Sequence, residues 1–200
     1  MEGIIKAVCI SEKKGTAKKN VKEAVLEEDH GIKGDAHAGK WHRQVSLLSE
    51  DRVKEFNERG GNAVPGDFGE NLLVAGIDFS HLPVGTIFSC GTIRLKMTQI
   101  GKECHSHCEI YHRVGDCIMP REGVFAEVIA GGKIKAGDRM EVKLPQENDV
   151  LTAAVITLSD KGYAGQRKDT SGPRAAKILQ EAGYEVVEQI LLPDEQKRIE

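Results

Sequence analysis

The sequence predicts a mixed fold, in which a strand-rich domain is followed by an incomplete α/β unit. Glycine accounts for 22 of 200 residues, or 11%, and this excess over a typical share of about 7% favours the tight turns of a strand-rich fold. Short β-branched runs recur through residues 1–145, whereas a strand–helix–strand pattern follows a polar break. We therefore divide the chain into a first domain at 1–145, a linker at 146–151 and a second domain at 152–200.

The composition is typical of a soluble globular protein, with 40% apolar and 30% charged residues. The net charge of −3 at pH 7 argues against a broad basic face, so neither nucleic acid nor an anionic membrane is an expected partner. No apolar run approaches the ~20 residues of a spanning helix, and the N-terminus has no signal-peptide pattern. We therefore expect a cytoplasmic protein.

Short runs rich in β-branched residues predict the strands of the first domain. One helix follows Ser49, which is suited to cap it, and ends at Gly60. Cys90 and Gly91 predict a tight hairpin, and the polar segment 103–114 predicts a second helix. The predicted strands cover residues 3–10, 21–26, 44–48, 71–74, 86–89, 92–100 and, after a glycine turn, 139–142.

The second domain is predicted to be one βαβ unit. An almost continuous apolar run at 150–158 predicts a strand that is covered on both faces. Ser171 is a candidate cap for a helix that continues over 174–182, and a second strand is predicted at 184–192. A single βαβ unit leaves one sheet face uncovered, so either it packs against residues 1–145 or these residues begin a larger domain, and we expect the second.

Cysteines are concentrated around the predicted second helix. Cys104, Cys108 and Cys117 lie within 14 residues. Cys104 falls between a strand and a helix, where the helix N-terminus and the neighbouring Lys102 and His105 favour the thiolate. This position predicts a reactive cysteine.

Two other interpretations of the cysteine cluster stay open. One is a structural zinc site, although its C-x3-C-x3-H-x4-C spacing is not a common one. The other is a set of ordinary buried cysteines beside solvated histidines. The zinc ligands would be Cys104, Cys108, His112 and Cys117.

A glycine-rich, basic segment spans residues 31–43. Lys33, Lys40, His42 and Arg43 are suited to a small anion cradle, in which Arg43 would hold a phosphate through two N–H groups. The alternative is an exposed charged loop between strands.

A dense turn spans residues 65–72. Its glycine, aspartate and asparagine residues predict a turn by composition, and the backbone N–H groups gathered there would also suit a ligand contact. A turn without a ligand is the alternative.

The second domain offers a crevice at the carboxyl end of its first strand. Ser159 and Asp160 follow that strand, and residues 169–173 begin the helix. A strand end beside a helix N-terminus is the usual phosphate-binding crevice of open α/β sheets, although no specific nucleotide motif is present.

Together, the motifs of the first domain resemble a MOSC domain, the module named after the C-terminal part of molybdenum cofactor sulfurase. The resemblance rests on GIKGDAH at 31–37, GDFGENL at 66–72, Val84-Gly85 before a strand and Cys104 after the long strand. It implies a β-rich twisted barrel with short helices, whose cysteine ligates molybdenum or carries sulfur. The cofactor-binding residues that it implies are Lys33, Gly34, Asp35, His37, Arg43, Asp67, Phe68, Gly69, Glu70 and Asn71.

The second domain resembles the start of the molybdopterin-binding family that includes molybdopterin adenylyltransferase. The resemblance rests on residues 155–160, 169–173 and 192–194, which match about the first third of that fold. It implies cofactor contacts at Ser159, Asp160, Thr170, Ser171 and Gly172, while the later residues that complete an adenylylating site are missing from this stretch.

Both resemblances point to molybdenum cofactor biosynthesis or handling. Molybdopterin or the finished cofactor is the expected ligand, with a molybdoenzyme as sulfur donor or acceptor. Pyridoxal phosphate would belong only to a partner sulfurase, and an oligomer is compatible with the sequence. One alternative is a MOSC-type molybdoenzyme that reduces N-hydroxylated compounds with electrons from another protein. A zinc-stabilised, non-enzymatic binding module is the other.

Overall fold

A computed structural model describes residues 1–102, 111, 115–146, 151–181 and 184–195 of the chain. These residues form two compact units, Met1–Pro145 and Gln146–Glu200. The predicted helix at 103–114 lies outside the described residues except for Tyr111, and so do residues 147–150 of the predicted linker.

The first unit consists mainly of strands, as the sequence predicts. Most predicted strands are present with shifts of one or two residues at their ends. The strands are β1 (Glu2–Ile10), β2 (Lys19–Asn20), β3 (Glu23–Glu27), β4 (Gly31–Ile32), β5 (Val45–Ser49), β6 (Leu72–Ala75), β7 (Ile87–Cys90), β8 (Ile93–Ile100), β9 (Val124–Ala130), β10 (Gly132–Lys135) and β11 (Arg139–Lys143).

Seven of these strands close into a β-barrel, which confirms the predicted fold class. Their order around the barrel is β1, β6, β5, β9, β8, β7 and β11, and β11 pairs with β1 to close it. All neighbours are antiparallel except β5 and β6. A smaller sheet of β10, β3 and β4 accompanies the barrel.

Helices cover part of the barrel wall. The helix α1 (Glu50–Glu58) begins directly after Ser49, as predicted, although the Ser49 side chain makes no capping hydrogen bond. Its buried Val53 and Phe56 pack with Leu48 and Leu73 in a second apolar cluster, separate from the cluster inside the barrel. Every residue of β5 is therefore buried. The described part of this unit also contains a 3-10 turn at Phe79–His81 and the short helix α2 (Met119–Glu122).

The second unit is a βαβ arrangement, as predicted. Strands β12 (Leu151–Leu158) and β13 (Tyr184–Leu192) pair in parallel, and they are connected through α3 (Asp160–Tyr163) and α4 (Ser171–Glu181).

Two details of this unit differ from the prediction. Within the described residues, β12 is covered on one face only, because Val155 is buried whereas Ile156 and Leu158 are exposed. The amides of Ser171 and Gly172 donate to the carboxylate of Asp169, so Asp169 and not Ser171 caps the helix.

Candidate functional site

A buried ion pair connects the start of the chain with the segment that follows β4. The ammonium group of Lys18 lies 2.5 Å from a carboxylate oxygen of Asp35, and both side chains are almost completely buried. Asp35 also accepts hydrogen bonds from the amides of Ser11 and His37. The His37 ring completes the cluster, with Nδ1 at 3.2 Å from Lys18 Nζ.

The charges in this cluster depend on one another. Burial alone would raise the pKa of Asp35, but hydrogen bonds from His37 and Lys18 outweigh it and hold that pKa well below its usual range. Burial lowers the pKa of Lys18, and the charge of Asp35 opposes this shift. His37 is the member of the cluster that reaches solvent, with 29% of its side chain exposed.

The turn at 65–72 packs against the same lysine. The amide of Lys18 donates to the carbonyl of Gly66 at 2.9 Å. Gly66 has φ +95°, and a β-carbon there would lie 2.0 Å from the carbonyl oxygen of Lys18, so only glycine allows this approach. The structure therefore brings the two predicted binding segments, 33–43 and 67–71, together at Lys18.

Glu70 is completely buried beneath this turn. One carboxyl oxygen accepts the Gly66 amide at 2.6 Å, whereas the other, Oε2, has no hydrogen-bond partner among the described residues. Burial raises the pKa of Glu70 to about 7, and the nearby charge of Asp67 contributes in the same direction. Glu70 is thus a carboxyl group that titrates near neutral pH.

Other residues of the turn maintain its structure. Asn71 joins three strands, since its side chain donates to the carbonyl of Cys9 and accepts from the amide and hydroxyl of Ser46. Phe68 packs edge-on against Phe56 with ring centroids 5.1 Å apart.

The residues of the predicted anion cradle separate into two groups. Lys33 and Lys40 are exposed and pair with carboxylates, at 3.6 Å from Glu27 and 3.2 Å from Asp29. Gly34 lies between them in an open turn, where a β-carbon would meet nothing within 4 Å.

Arg43 contacts aromatic rings, and it forms no ion pair within the described residues. Its guanidinium carbon lies 4.8 Å from the centroid of the Trp41 ring and 5.8 Å from that of Phe125. Its Nε atom is buried without a hydrogen-bond partner in the described part of the chain. Arg43 therefore has the charge and the donors that an anion requires.

The segment that leads to Cys104 runs beside these residues. At the end of β8, the side chain of Gln99 lies 3.0 Å from the His42 ring and donates to the carbonyl of Gly101. Gly101 turns the chain with φ +62°, as the sequence predicts. Cys104 itself lies outside the described residues.

The described thiols with shifted pKa values are unsuited to nucleophilic chemistry. Burial raises the pKa of Cys9 to about 12 and that of Cys90 to about 11, so both remain protonated at neutral pH. Of the predicted zinc ligands, Cys117 is buried, and Cys108 and His112 lie outside the described residues together with Cys104. Among the residues that are described, no histidine, cysteine and acidic side chains form a group of three or more that would hold a metal ion.

In the second unit, most of the predicted contact residues surround one small cleft. Ser159, Thr170 and Ser171 line a space of about 140 Å³, together with Arg167 and Lys168. Asp160 points elsewhere and accepts the amide of Asp194. Gly172, at the start of α4, supplies an amide to Asp169.

Sequence reasoning missed three residues near the predicted site, namely Lys14, Lys18 and Trp41. Lys14 and Lys18 belong to the lysine-rich run 13–19, which resembles an ordinary solvated loop. Trp41 lies inside the basic segment and is the one tryptophan of the chain, a signal that would have supported its inclusion.

The fold and the site define a small closed β-barrel domain that contains a buried charged cluster. The family model of the MOSC domain matches residues 34–141, and the chain belongs to this family. A second model, described as a probable molybdopterin binding domain, matches residues 154–200. The chain thus joins two domains of molybdenum cofactor metabolism, and its function is related to that cofactor.

Solved structures share this fold at low sequence identity. The YuaD protein from Bacillus subtilis superposes with a TM-score of 0.62 and 20% identity, covering 73% of this chain and 98% of that one. YiiM from Escherichia coli gives 0.55 and 20%, covering 92% and 87%. YiiM from Geobacillus stearothermophilus gives 0.54 and 18%, covering 72% and 76%. No curated protein matches the sequence. In the described part of the chain, no helix is both long and apolar enough to cross a membrane.

Proposed function

We propose that the barrel binds molybdopterin or the finished molybdenum cofactor, and that Cys104 ligates the metal or carries sulfur. The observation that supports this proposal is the position of Lys18. It is held between the two segments whose motifs characterise the MOSC resemblance, through Asp35 on one side and Gly66 on the other.

The residues around Lys18 suit the anionic phosphate of a pterin cofactor. His37 and Arg43 offer N–H donors, and the charge of Asp35 opposes the lowering of the Lys18 pKa by burial. Lys33 and Lys40 already pair with carboxylates, so in this proposal they contribute less than Arg43. The backbone of the turn around Asp67, Phe68 and Gly69, supported by Glu70 and Asn71, forms the opposite wall.

Cys104 supplies the reactive sulfur in this proposal. It follows Gly101 by three residues. The Gln99 side chain donates a hydrogen bond to the Gly101 carbonyl and lies within hydrogen-bond distance of the His42 ring. His42 directly precedes Arg43 in the sequence. When bound, the cofactor would supply molybdenum, and the MOSC resemblance implies a cysteine as the protein ligand of that metal. Gly101-Lys102-Glu103 replace the proline and arginine of the commoner family pattern, and the nearby Cys108 and Cys117 would also allow sulfur to pass between thiols.

The second unit would bind a cofactor of the same class through a small cleft of its own. Ser159, Thr170 and Ser171 offer hydroxyl groups there, and Arg167 and Lys168 offer positive charge. These groups suit a phosphate or the polar edge of a pterin.

Metal and pterin analysis tests the proposed function. The full chain is purified from cells with an intact molybdenum cofactor pathway, beside Cys104→Ser and the control Cys90→Ala, which removes a buried, protonated thiol. We expect molybdenum and a fluorescent pterin oxidation product in the wild type and the control, and their loss in Cys104→Ser. Stoichiometric zinc without pterin would overturn the proposal in favour of a structural metal site.

A further inference from the structure

The carboxyl group of Glu70 is completely buried, and the proposed function gives it no role beyond support of the turn. One of its oxygens accepts the amide of Gly66 at 2.6 Å. The other, Oε2, is buried without a hydrogen-bond partner among the described residues. A buried carboxylate oxygen that lacks a donor is costly as long as it is charged, and protonation removes that charge. Oε2 is therefore a place where a proton can be stored.

Titratable groups from three segments act on this carboxyl group. The charge of Asp67, in the same turn, adds to the effect of burial in raising the pKa of Glu70. In β1, burial raises the pKa of Cys9, and the charge of Glu70 contributes to that shift. In the loop after β1, burial lowers the pKa of Lys18, and the charges of Asp35 and Glu70 oppose this shift. Glu70 is thus coupled electrostatically to the buried ion pair of Lys18 and Asp35.

Hydrogen bonds connect Glu70 with the side of the cluster that faces solvent. Gly66 donates its amide to Glu70 and accepts the amide of Lys18 at 2.9 Å. The Lys18 ammonium lies 2.5 Å from Asp35 and 3.2 Å from Nδ1 of His37. The side chain of His37 is 29% exposed. A ligand that reaches His37 therefore lies at the opposite end of this connection from Glu70.

The balance of buried charge determines how the cluster responds to an anion. Lys18, Asp35, Asp67 and Glu70 are each at most 6% exposed. With Glu70 ionised, they carry one positive and three negative charges, and with Glu70 protonated, one positive and two negative charges. An anionic ligand adds negative charge to this region, and a nearby like charge favours the neutral form of a carboxyl group.

We propose that Glu70 takes up one proton when the anionic cofactor binds beside the ion pair of Lys18 and Asp35. The proton passes from solvent water to Oε2, the carboxylate becomes a neutral carboxyl group, and no other bond forms or breaks. By linkage, a lower pH then strengthens binding, and binding stabilises the protonated form of Glu70 by the same free energy. This inference rests on the proposed function and deepens it, since it makes release of the cofactor depend on pH.

Cofactor retention at two pH values tests this coupling. The full chain, purified from cells with an intact molybdenum cofactor pathway, is dialysed against increasing buffer volumes at about pH 6 and about pH 8. Its content of molybdenum and of the fluorescent pterin product gives an apparent dissociation constant. Glu70→Gln keeps an acceptor for the Gly66 amide but cannot titrate. The matched control is Glu55→Gln, which changes an exposed carboxylate that pairs with Arg52.

We expect the wild type and Glu55→Gln to bind the cofactor about three- to tenfold more tightly at the lower pH, and Glu70→Gln to bind equally at both. A preference for low pH that persists in Glu70→Gln would overturn the inference and assign the effect to another group, such as His37. Tighter binding at the higher pH, which protonation of the Cys104 thiolate alone would produce, would also overturn it.

Carbon-13 NMR gives a readout that does not depend on retention. Glutamate labelled at its side-chain carboxyl is incorporated into the full chain, with and without cofactor. We expect one glutamate signal of the cofactor-free chain to titrate at about pH 7, and its midpoint to rise by about one pH unit in the loaded chain. Equal midpoints, or no glutamate that titrates near neutral pH, would overturn the inference even if Glu70→Gln failed to fold.

The outcomes separate this inference from the proposed function. If the wild type carries pterin that is lost in Cys104→Ser, but its binding is equal at both pH values, the proposed function stands and the proton uptake is overturned. If the wild type carries zinc and no pterin at either pH, the proposed function fails and the coupling fails with it.

Discussion

The two units of the chain differ in the residues that they bury: the first buries charged side chains, and the second exposes apolar ones. The first unit buries Lys18, Asp35 and Glu70, with 4%, 6% and 0% of each residue exposed. The second leaves Ile156 and Val187 more than half exposed. The closed barrel of the first unit has no free sheet edge, and further segments of the chain pack on it and bury these charges. Two strands with one helical layer bury far less.

This difference indicates that the proposed chemistry is located in the first unit and that the second unit tolerates polar substitutions better. In the first unit, the buried charge of Lys18 depends on Asp35, a partner 17 residues away in the sequence. In the second unit, most of the described side-chain hydrogen bonds are short-range caps and turns, such as Asp169 with Ser171, and the exception is Asp160, which accepts the amide of Asp194. We therefore expect substitutions of polar groups to be costly in the barrel and mild in the βαβ unit.

Removal of Asp35 should give the largest effect. Asp35→Ala leaves the Lys18 ammonium buried without its carboxylate, which typically costs about 3–5 kcal/mol in the free energy of unfolding. The control is Glu27→Ala, which removes the partner of the exposed Lys33 and should cost less than about 1 kcal/mol. Denaturant unfolding of both variants measures the difference. Equal, small losses would contradict the view that the buried pair is essential to the barrel.

Apolar residues should show the same contrast between the units. Leu72 is completely buried inside the barrel, and Leu72→Ala should destabilise it by about 3 kcal/mol through the cavity that is left. Ile156 lies on the open face of β12, and Ile156→Ala should change the free energy of unfolding by less than about 0.5 kcal/mol. A loss of similar size in both variants would show that this strand face is buried in solution.

Local sequence signals predict part of this fold well. Helix α1 is signalled by Ser49 and by the acids that follow it, and the βαβ unit by the apolar run at 150–158, the helix start at 171–173 and the strand at 184–192. Strands β9 and β10 are missed, and so are the two-residue strands β2 and β4. The run of β9 is buried at most positions, so it lacks the alternation that identifies a half-exposed strand.

The candidate site is predicted less completely, because its geometry depends on tertiary pairing. Lys18 belongs to a lysine-rich run, and only its distant partner Asp35 explains why it is buried. Conversely, Lys33 and Lys40 suggest an anion cradle by composition, whereas Glu27 and Asp29 pair with them in the structure. Neither kind of ion pair can be predicted from the periodicity of the sequence.

The smallest predicted effect is the pH dependence of the free energy of unfolding. The sign of this dependence should differ between the two units. Burial raises the pKa of Glu70 from 4.5 to about 7, so between these values the folded state binds more protons than the unfolded state. Stability should therefore fall as pH rises through this window, by roughly 1–3 kcal/mol. In the second unit, hydrogen bonds from the Gly172 and Ser171 amides lower the pKa of Asp169, so its contribution is lost only as pH falls below 3.8.

Glu70→Gln tests this sign, because glutamine keeps an acceptor for the Gly66 amide but cannot titrate. Its free energy of unfolding should change less between pH 4.5 and pH 7 than that of the wild type. Asp169→Asn is the matched control in the second unit and should keep the wild-type slope in this window, since Asp169 is already ionised throughout it. Denaturant unfolding at several pH values provides the slopes. If Glu70→Gln retained the full wild-type slope, another group of the buried cluster would be responsible for it.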